Sequence, residues 1–338
     1  MKIQKHIEIV RSGTPRLSSM GDKSAAMIQA LLAEHYTSVG VTLVSDLTEL
    51  DQLVAIQPDL VILGVKQIPT EDGPIWLSAY LEARGVNHLG SRTTAIELDF
   101  DKPGAKRIVQ AAGLLTASSF TAHPKQYTAT TLPLPFPLFV KPPNGGGGKG
   151  IGPDSVVRNF KSYEHKVQFI LEEFGTESLV EAYLPGREFS VALIENTKTA
   201  GLLAMPIELI TEQNAQGDRI LGQVVKADDT EHVIAVLDLA LRTRINRLAK
   251  AAFRALGARD YGRIDIRLDE RGVPHFLEAN LIPGLAKHDF VSYFTAACEI
   301  NQNMSYDTMI LSLVTLSLNR YMKPSDLSEI ELEALALA

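Results

Sequence analysis

Three oxygen-bearing side chains in the last third of the sequence are spaced to meet. In "GRIDIRLDERGVPHFLEAN", residues 262–280, Ile264, Ile266 and Leu268 alternate with Arg263, Asp265, Arg267 and Asp269. This is the period of a strand with one apolar face. After the turn, Glu278 and Asn280 share a face in the same way. An even-sized loop near Glu270 and Arg271 brings Asp265 onto that face too. Two carboxylates and an amide oxygen placed together repel one another unless a cation lies between them. An all-oxygen set of this kind suits Mg²⁺, which binds through one or two carboxylates and a substrate's phosphates. A solvated hairpin face accounts for Asp269 and Glu270 but not for Glu278, which sits inside the otherwise apolar "FLEANLIPG".

A second chemical signal is "KPPNGGGGKGIG", residues 141–152, which follows the strand-like "FPLFV". It is not a P-loop, G-x-x-x-x-G-K-[ST]. Counted back from Lys149 the first glycine position is Pro143, and the residue after Lys149 is Gly150. Gly145, Gly147 and Gly150 match G-x-G-x-x-G literally, but a run of four glycines makes that match cheap, and Pro153 interrupts the helix it should open. What remains is a glycine-rich lid whose N–H groups face one concavity, with charge from Lys149 and from Lys141 at the strand end. A plain mobile loop is the alternative. No G-x-S-x-G, H-E-x-x-H or C-x-x-C occurs, so hydrolase and zinc readings lack a signature.

The elements that must position these residues are of two kinds. In the first hundred residues "HIEIV", "VTLVS" and "PDLVILGV" read as strands. "DKSAAMIQALLAEHY", "LTELDQLVAI" and "PIWLSAYLEARG", the last closed by Gly85, read as helices. This alternation predicts a parallel, doubly wound α/β sheet. Beyond it come a helix at "AKRIVQAAG" and short strands at "FPLFVK", "SLVEAYL" and "REFSVALI". One long helix is predicted over residues 230–257, then the acidic hairpin, a helix at "YDTMILSLVTLSLNRYM" and a tail from Ser325.

Composition sets the remaining bounds. The 338 residues suggest two or three domains, and 45% hydrophobic residues suffice for their cores. A formal charge of −7 argues against wholesale nucleic-acid binding. The single Cys298 forms no internal disulfide and fits a reducing compartment. The N-terminus lacks the apolar core of a signal peptide, and "MILSLVTLSL" is far short of the roughly 18 residues that span a bilayer. The expectation is a cytoplasmic protein without membrane or nucleic-acid partners.

A glycine lid after a strand lysine, followed by a D…E-x-N hairpin, resembles the ATP-grasp ligases, and within them the D-alanine–D-alanine ligase branch. The resemblance runs through "EDG" at 71–73, "HLGS" at 88–91, "DFDK" at 99–102, "FVKPPNGGGGKG", "VEAYLPGREFSVALI", "GRIDIRLD" and "FLEANLIPGL". It implies an N-terminal α/β domain over residues 1–100, a small ATP-grasp lobe with the lid over 101–184, a C-terminal lobe with the metal site over 185–324, and the tail. It also implies roles. Lys102 and Lys141 hold ATP phosphates under the lid glycines Gly146, Gly147 and Gly148, with Lys226 as a further phosphate contact. Glu181, Tyr183 and Leu184 form the adenine hinge, and Glu188 takes the ribose hydroxyls. Asp265, Glu278 and Asn280 hold two Mg²⁺ ions, which Mn²⁺ can replace. Arg263 and the Gly284 N–H stabilise the oxyanion. A homodimer acting on amino-acid-like small molecules is implied as well.

The substrate half departs from that pattern. The lid serine of the family is glycine here, near Gly148. The glycine-rich first turn and its glutamate are replaced by "RSGTPRLSSMGDKS", with Asp22 the nearest acid, and "AKHDF" places Asp289 where the family offers a serine hydroxyl to the second substrate's carboxylate. An anion there repels a carboxylate at short range. The expected function is therefore an ATP-dependent carboxylate–amine ligase that works through an acyl phosphate on substrates other than two D-alanines, as in natural-product or dipeptide synthesis. A genuine D-alanine–D-alanine ligase is the alternative, and a non-catalytic nucleotide-binding regulator the second.

Overall fold

The computed structural model describes residues 2–13, 20–196, 201–287 and 292–321. The expected tail from Ser325, and Asp289, lie outside them. The chain opens with β1 (Ile3–Ser12), α1 (Asp22–His35), β2 (Tyr36–Val44), α2 (Leu47–Ala55) and β3 (Leu60–Leu63). The strands form a parallel sheet in the order β2-β1-β3. Residue parity sorts β1 between two faces. Ile7 and Ile9 pack against Ile28 and Leu32 of α1, while Val10 packs with Leu50 and Leu53 of α2. Helices on both faces are what the near-continuous apolar strands require, so the doubly wound expectation holds.

Two short strands, β4 (Gln67–Ile68) and β5 (Ile75–Trp76), make a small ribbon before α3 (Leu77–Ala83), α4 (Thr93–Ile96), a 3₁₀ turn (Glu97–Asp99) and α5 (Lys102–Ala111). Asp101 caps α5 by accepting the Gly104 N–H at 2.8 Å. Next, β6 (Ser119–Ala122), β7 (Leu138–Lys141), β8 (Val156–Val157) and β9 (Ser178–Ala182) build an antiparallel sheet in the order β6-β9-β7-β8. Val140 and Val180 of this sheet share a core with Tyr163, Val167 and Ile170 of α6 (Phe160–Phe174).

The third sheet is antiparallel and five-stranded. Its order is β12-β11-β10-β13-β14, with β10 (Glu188–Asn196), β11 (Gly201–Ile210), β12 (His232–Ala235), β13 (Tyr261–Leu268) and β14 (Pro274–Asn280). One face meets α8 (Leu239–Ala255), where Ile245, Ala249 and Phe253 pack on Val191, Ile264 and Phe276. The other is covered in part by α9 (Tyr293–Gln302), and α10 (Tyr306–Tyr321) packs between β10 and the N-terminal helix α1. α7 (Gln223–Asp228) lies between β11 and β12.

The single long helix predicted over 230–257 is not formed. His232–Ala235 instead pair with Ile207–Ile210 as an edge strand. The helix starts only at Leu239, where Asp238 accepts the Ala240 and Leu241 N–H groups at 3.0 and 3.1 Å. A short apolar run carries no period that separates strand from helix, so the free edge of β11 decides it. Among the described residues no helix is long and apolar enough to cross a membrane.

Candidate active site

The hairpin β13–β14 is the base of the site. Its turn spans residues 269–273, since Leu268 pairs with Pro274. That is five residues rather than the even number expected, and continued regularly it would set Asp265 opposite Leu277. A register shift between Asp265 and Ile266 absorbs one residue of β14, so Glu278 faces Asp265 and Asn280 faces Arg263. The bulge does the work assigned to the loop. On β10, Ser190 lies opposite Asp265 and Glu188 opposite Arg267, which adds both to the same polar face.

Asp265 is buried and fully engaged. Arg263 donates to it from Nε and from its terminal nitrogen, each at 3.1 Å. Ser190 Oγ donates at 2.5 Å and Asn280 Nδ2 at 3.2 Å. Two oxygens offer about four lone-pair directions, so all are occupied. Glu278 is different: among the described residues its ion-pair partner is the distant Lys102 Nζ, 3.9 Å away. Burial alone would raise its pKa, but Lys102, Lys141, Lys226 and Arg263 outweigh burial and hold it down at about 2.

Across the cleft, Lys141 at the end of β7 donates to Glu181 at 2.7 Å, and Lys106 of α5 reaches the other oxygen of that carboxylate at 2.5 Å. All three side chains are 2% exposed. Burial pulls the Lys106 pKa down, and Glu181 opposes it. Burial acts on Lys141 in the same sense, yet Glu181 and Glu278 leave it above the ordinary lysine value. Two lysines on one glutamate leave a surplus positive charge. Lys102 adds to it, although burial lowers its pKa too. Lys102, Lys141, Lys149, Lys226 and Arg267 line the cleft with Glu181, Glu188 and Glu278, and Lys106 lies against Glu181, so cations outnumber carboxylates six to three. A buried surplus of this sign calls for an anion.

The cleft spans about 750 Å³ of space between atoms, with the open solvent at its mouth included. One end carries the lysines and Glu278. The other is an apolar slot between Ala117, Phe139, Leu184, Leu221 and Leu277, with Glu188 at its side. Burial raises the pKa of Glu188, against which Arg267 pairs with it at 2.9 Å. Arg267 also lies 5.5 Å from the Tyr183 ring. The Tyr183 N–H is committed to Pro137 O at 3.2 Å. An apolar slot, an acceptor beside it and a cationic end suit the base, ribose and phosphates of a nucleotide in that order. Two carboxylates and an amide at the phosphate end suit Mg²⁺. Among the described residues no three His, Cys, Asp or Glu side chains gather into a denser metal cluster.

The lid lies over this end. Gly147 and Gly148 have φ of +69° and +75°, and Lys102 Nζ donates to Gly145 O at 2.5 Å. A Cβ on Gly148 would meet the Gln223 backbone nitrogen at 2.9 Å. Gln223 N in turn donates to Ile151 O at 3.2 Å, so the lid is packed directly against the start of the helix that carries Lys226. Glycine here, where the resembled family has serine, is the residue that this close approach admits.

The expected residues Lys102, Lys141, Gly146, Gly148, Glu181, Tyr183, Leu184, Glu188, Lys226 and Glu278 all line this one cleft. Gly147 stands in the lid between two of them. Arg263, Asp265 and Asn280 adjoin it on the same face of the hairpin. Gly284 is half-buried within the irregular segment that follows β14. Asp22 is not among the lining residues. It sits in the first turn of α1, where it pairs with Arg11, and its side chain is 90% exposed. Two residues are given no role by the sequence reading: Lys106, buried against Glu181, and Arg267, which lines the cleft. Lys106 sits one helical turn after Lys102, on the face with Ala105 and Val109, and a lysine on an apolar stripe is the available sign. Arg267 belongs to the same alternation as Arg263 and Asp265.

Known proteins match this chain over most of its length. The family model for the D-ala D-ala ligase C-terminus matches residues 108–315. The D-alanine–D-alanine ligase of Hydrogenovibrio crunogenus is 29% identical over 299 residues, 87% of this chain and 88% of that one. The D-alanine–D-alanine ligase of Bordetella petrii is 31% identical over 269 residues, 79% and 78% of the two chains. The crystal structure of the Bacillus anthracis D-alanine–D-alanine ligase complexed with ATP shares the fold, with a TM-score of 0.69 over 94% of this chain and 98% of that one at 18% identity. These relatives bear the name of the alternative reading, D-alanine–D-alanine ligase, rather than of a ligase for other substrates.

Proposed function

Because this chain belongs to the D-ala D-ala ligase family and is an ATP-grasp ligase, we propose that it joins two D-alanines through an acyl phosphate, releasing ADP and phosphate. The observation that carries this reading is one cleft where Lys102, Lys141, Lys226 and Arg267, backed by Lys106, outnumber the carboxylates Glu181, Glu188 and Glu278, beside an apolar slot.

The residues divide the task. Adenine lies in the slot against Leu184 and the Tyr183 carbonyl, and Glu188, held by Arg267, accepts from the ribose hydroxyls. The Glu181 carboxylate does not face the base; its two oxygens fix Lys106 and Lys141, so that Lys141 is presented to the phosphates at a set place. Lys102 and Lys226 neutralise the phosphoryl group as charge gathers on it. Asp265, Glu278 and Asn280 would hold Mg²⁺, which supplies charge neutralisation on the transferred phosphoryl oxygens. Glu278, kept ionised by its lysines, is the ready ligand. Asp265 is saturated, and anything that takes its oxygens competes with Arg263. The Arg263 fork and the Gly284 N–H would be the donors offered to the carbonyl oxygen under attack. The lid excludes water from the acyl phosphate.

The test is a panel of D-alanine, L-alanine, D-serine and D-lactate with ATP and Mg²⁺, scored by phosphate release and by the mass of the product. The proposal requires D-alanyl-D-alanine as the main product. Turnover confined to other substrates would overturn D-alanine as the substrate.

A further inference from the structure

Outside the cleft, Asp99 is one of several buried carboxylates that the ligase reading does not use. Asp99 closes the 3₁₀ turn Glu97–Asp99, three residues before Lys102, and its side chain is 2% exposed. Its oxygens serve two separate parts of the chain. Oδ2 takes Lys66 Nζ at 2.6 Å, and Oδ1 takes the Leu281 backbone N–H at 2.8 Å. Lys66 follows β3 at the carboxyl end of the parallel sheet, the end at which such sheets meet ligands. Leu281 follows Asn280 and opens the irregular segment that holds Gly284. Lys66 Nζ also lies 5.5 Å from the Phe100 ring, and Phe100 meets Trp76, the only tryptophan, edge-on at 5.2 Å.

This carboxylate is costly to bury. Burial raises its pKa, opposed by Lys66 and by the N–H groups of Leu281 and Ile282. A charge-assisted acceptor holds a backbone N–H more firmly than water or a neutral oxygen does. It does so here at the one point where the metal hairpin passes into the Gly284 loop.

We propose that Lys66 and Asp99 are positioning residues for the ligase reaction: the ion pair grips the Leu281 N–H and thereby fixes the Gly284 N–H relative to Lys102, without touching substrate. The geometry stands alone, while the catalytic consequence rests on the ligase reading above. A displacement of about 1 Å at a reacting centre costs on the order of a hundredfold in rate. Loss of the pair therefore falls on kcat and spares the nucleotide site.

The experiment uses the full chain with Lys66→Met, Asp99→Asn and Lys66→Arg. Hydrogen exchange of the ligand-free protein is followed by mass spectrometry over the peptide that holds residues 281–284. The Leu281 amide is expected to exchange about tenfold faster or more in Lys66→Met and Asp99→Asn; wild-type exchange in both would overturn the proposal. With active wild type, kcat should fall about 10- to 100-fold while KM for ATP stays within about twofold. Lys66→Arg should recover kcat and the wild-type Trp76 emission. Equal losses in kcat and in ATP affinity, unrelieved by Lys66→Arg, would make the pair merely structural and overturn it. Lys66→Met leaves a fully formed test if Asp99→Asn does not fold. An inactive wild type would refute the ligase reading, and the exchange measurement would still judge the grip on Leu281.

Discussion

The Lys106–Glu181–Lys141 triad makes the sharpest energetic prediction. Glu181 is the only anion of the three, with its cations at 2.5 and 2.7 Å and all side chains 2% exposed. Glu181→Gln leaves two buried ammonium groups facing one neutral acceptor, a loss of about 3–5 kcal/mol. Lys106→Met removes the ammonium's contacts with Glu181 and with Thr116 Oγ1, the latter at 2.7 Å, each worth about 1.5–3 kcal/mol, and relieves the burial that already pulls the Lys106 pKa down. Its net effect should be a destabilisation of about 2 kcal/mol. In the Glu181→Gln background the same substitution deletes an uncompensated cation, so it should stabilise by about 1 kcal/mol. The sign reverses, and the coupling of about 3 kcal/mol stands at the top of the range for groups in one network. Urea unfolding of the four ligand-free proteins at low ionic strength measures it. If Lys106→Met destabilised both backgrounds equally, within about 0.5 kcal/mol, the triad would not be an electrostatic unit.

Three further outcomes follow from the geometry. Gly148→Ala, which sets a Cβ against the Gln223 nitrogen at a φ of +75°, should raise KM for ATP about tenfold or more and speed proteolysis of the lid in the presence of nucleotide, as limited digestion will show. Arg267→Met leaves Glu188 buried without its partner, and calorimetry should find nucleotide binding weaker by about 2–3 kcal/mol. Glu278→Gln should cut turnover at least a hundredfold or so. Its folded pKa of about 2 lies below the ordinary 4.5, so the charge stabilises the fold above pH 4.5 and that contribution is lost as pH falls through 2. The stability gap between wild type and Glu278→Gln should therefore close over that window, and a gap independent of pH would contradict the assignment.

What the sequence discloses follows from which interactions are local. The period-two alternation in residues 263–269 marks the polar face of β13 because side-chain direction in a strand is set by parity. Glu278 is legible as an acid in an apolar segment. The bulge that brings it opposite Asp265 is not, since nothing local to Leu277 records the register shift. The lid glycines are legible as freedom of backbone, but the reason for Gly148 is the approach of Gln223 from a distant part of the chain. Lys106 reads as part of an ordinary helix because its partner Glu181 lies on a remote strand. The strand at His232–Ala235 is hidden for the same reason, its identity depending on the free edge of β11. Asp22, the nearest acid to a missing glutamate, is instead an exposed partner of Arg11.

The central claim is that these residues activate a carboxylate by phosphorylation before an amine attacks it. D-alanine labelled with ¹⁸O in both carboxylate oxygens, incubated with the protein, ATP and Mg²⁺, tests this most directly. An acyl phosphate hands one carboxylate oxygen to the departing phosphate, so each turnover should yield D-alanyl-D-alanine and inorganic phosphate carrying one ¹⁸O. Unlabelled phosphate, or phosphate released without dipeptide, would contradict the account.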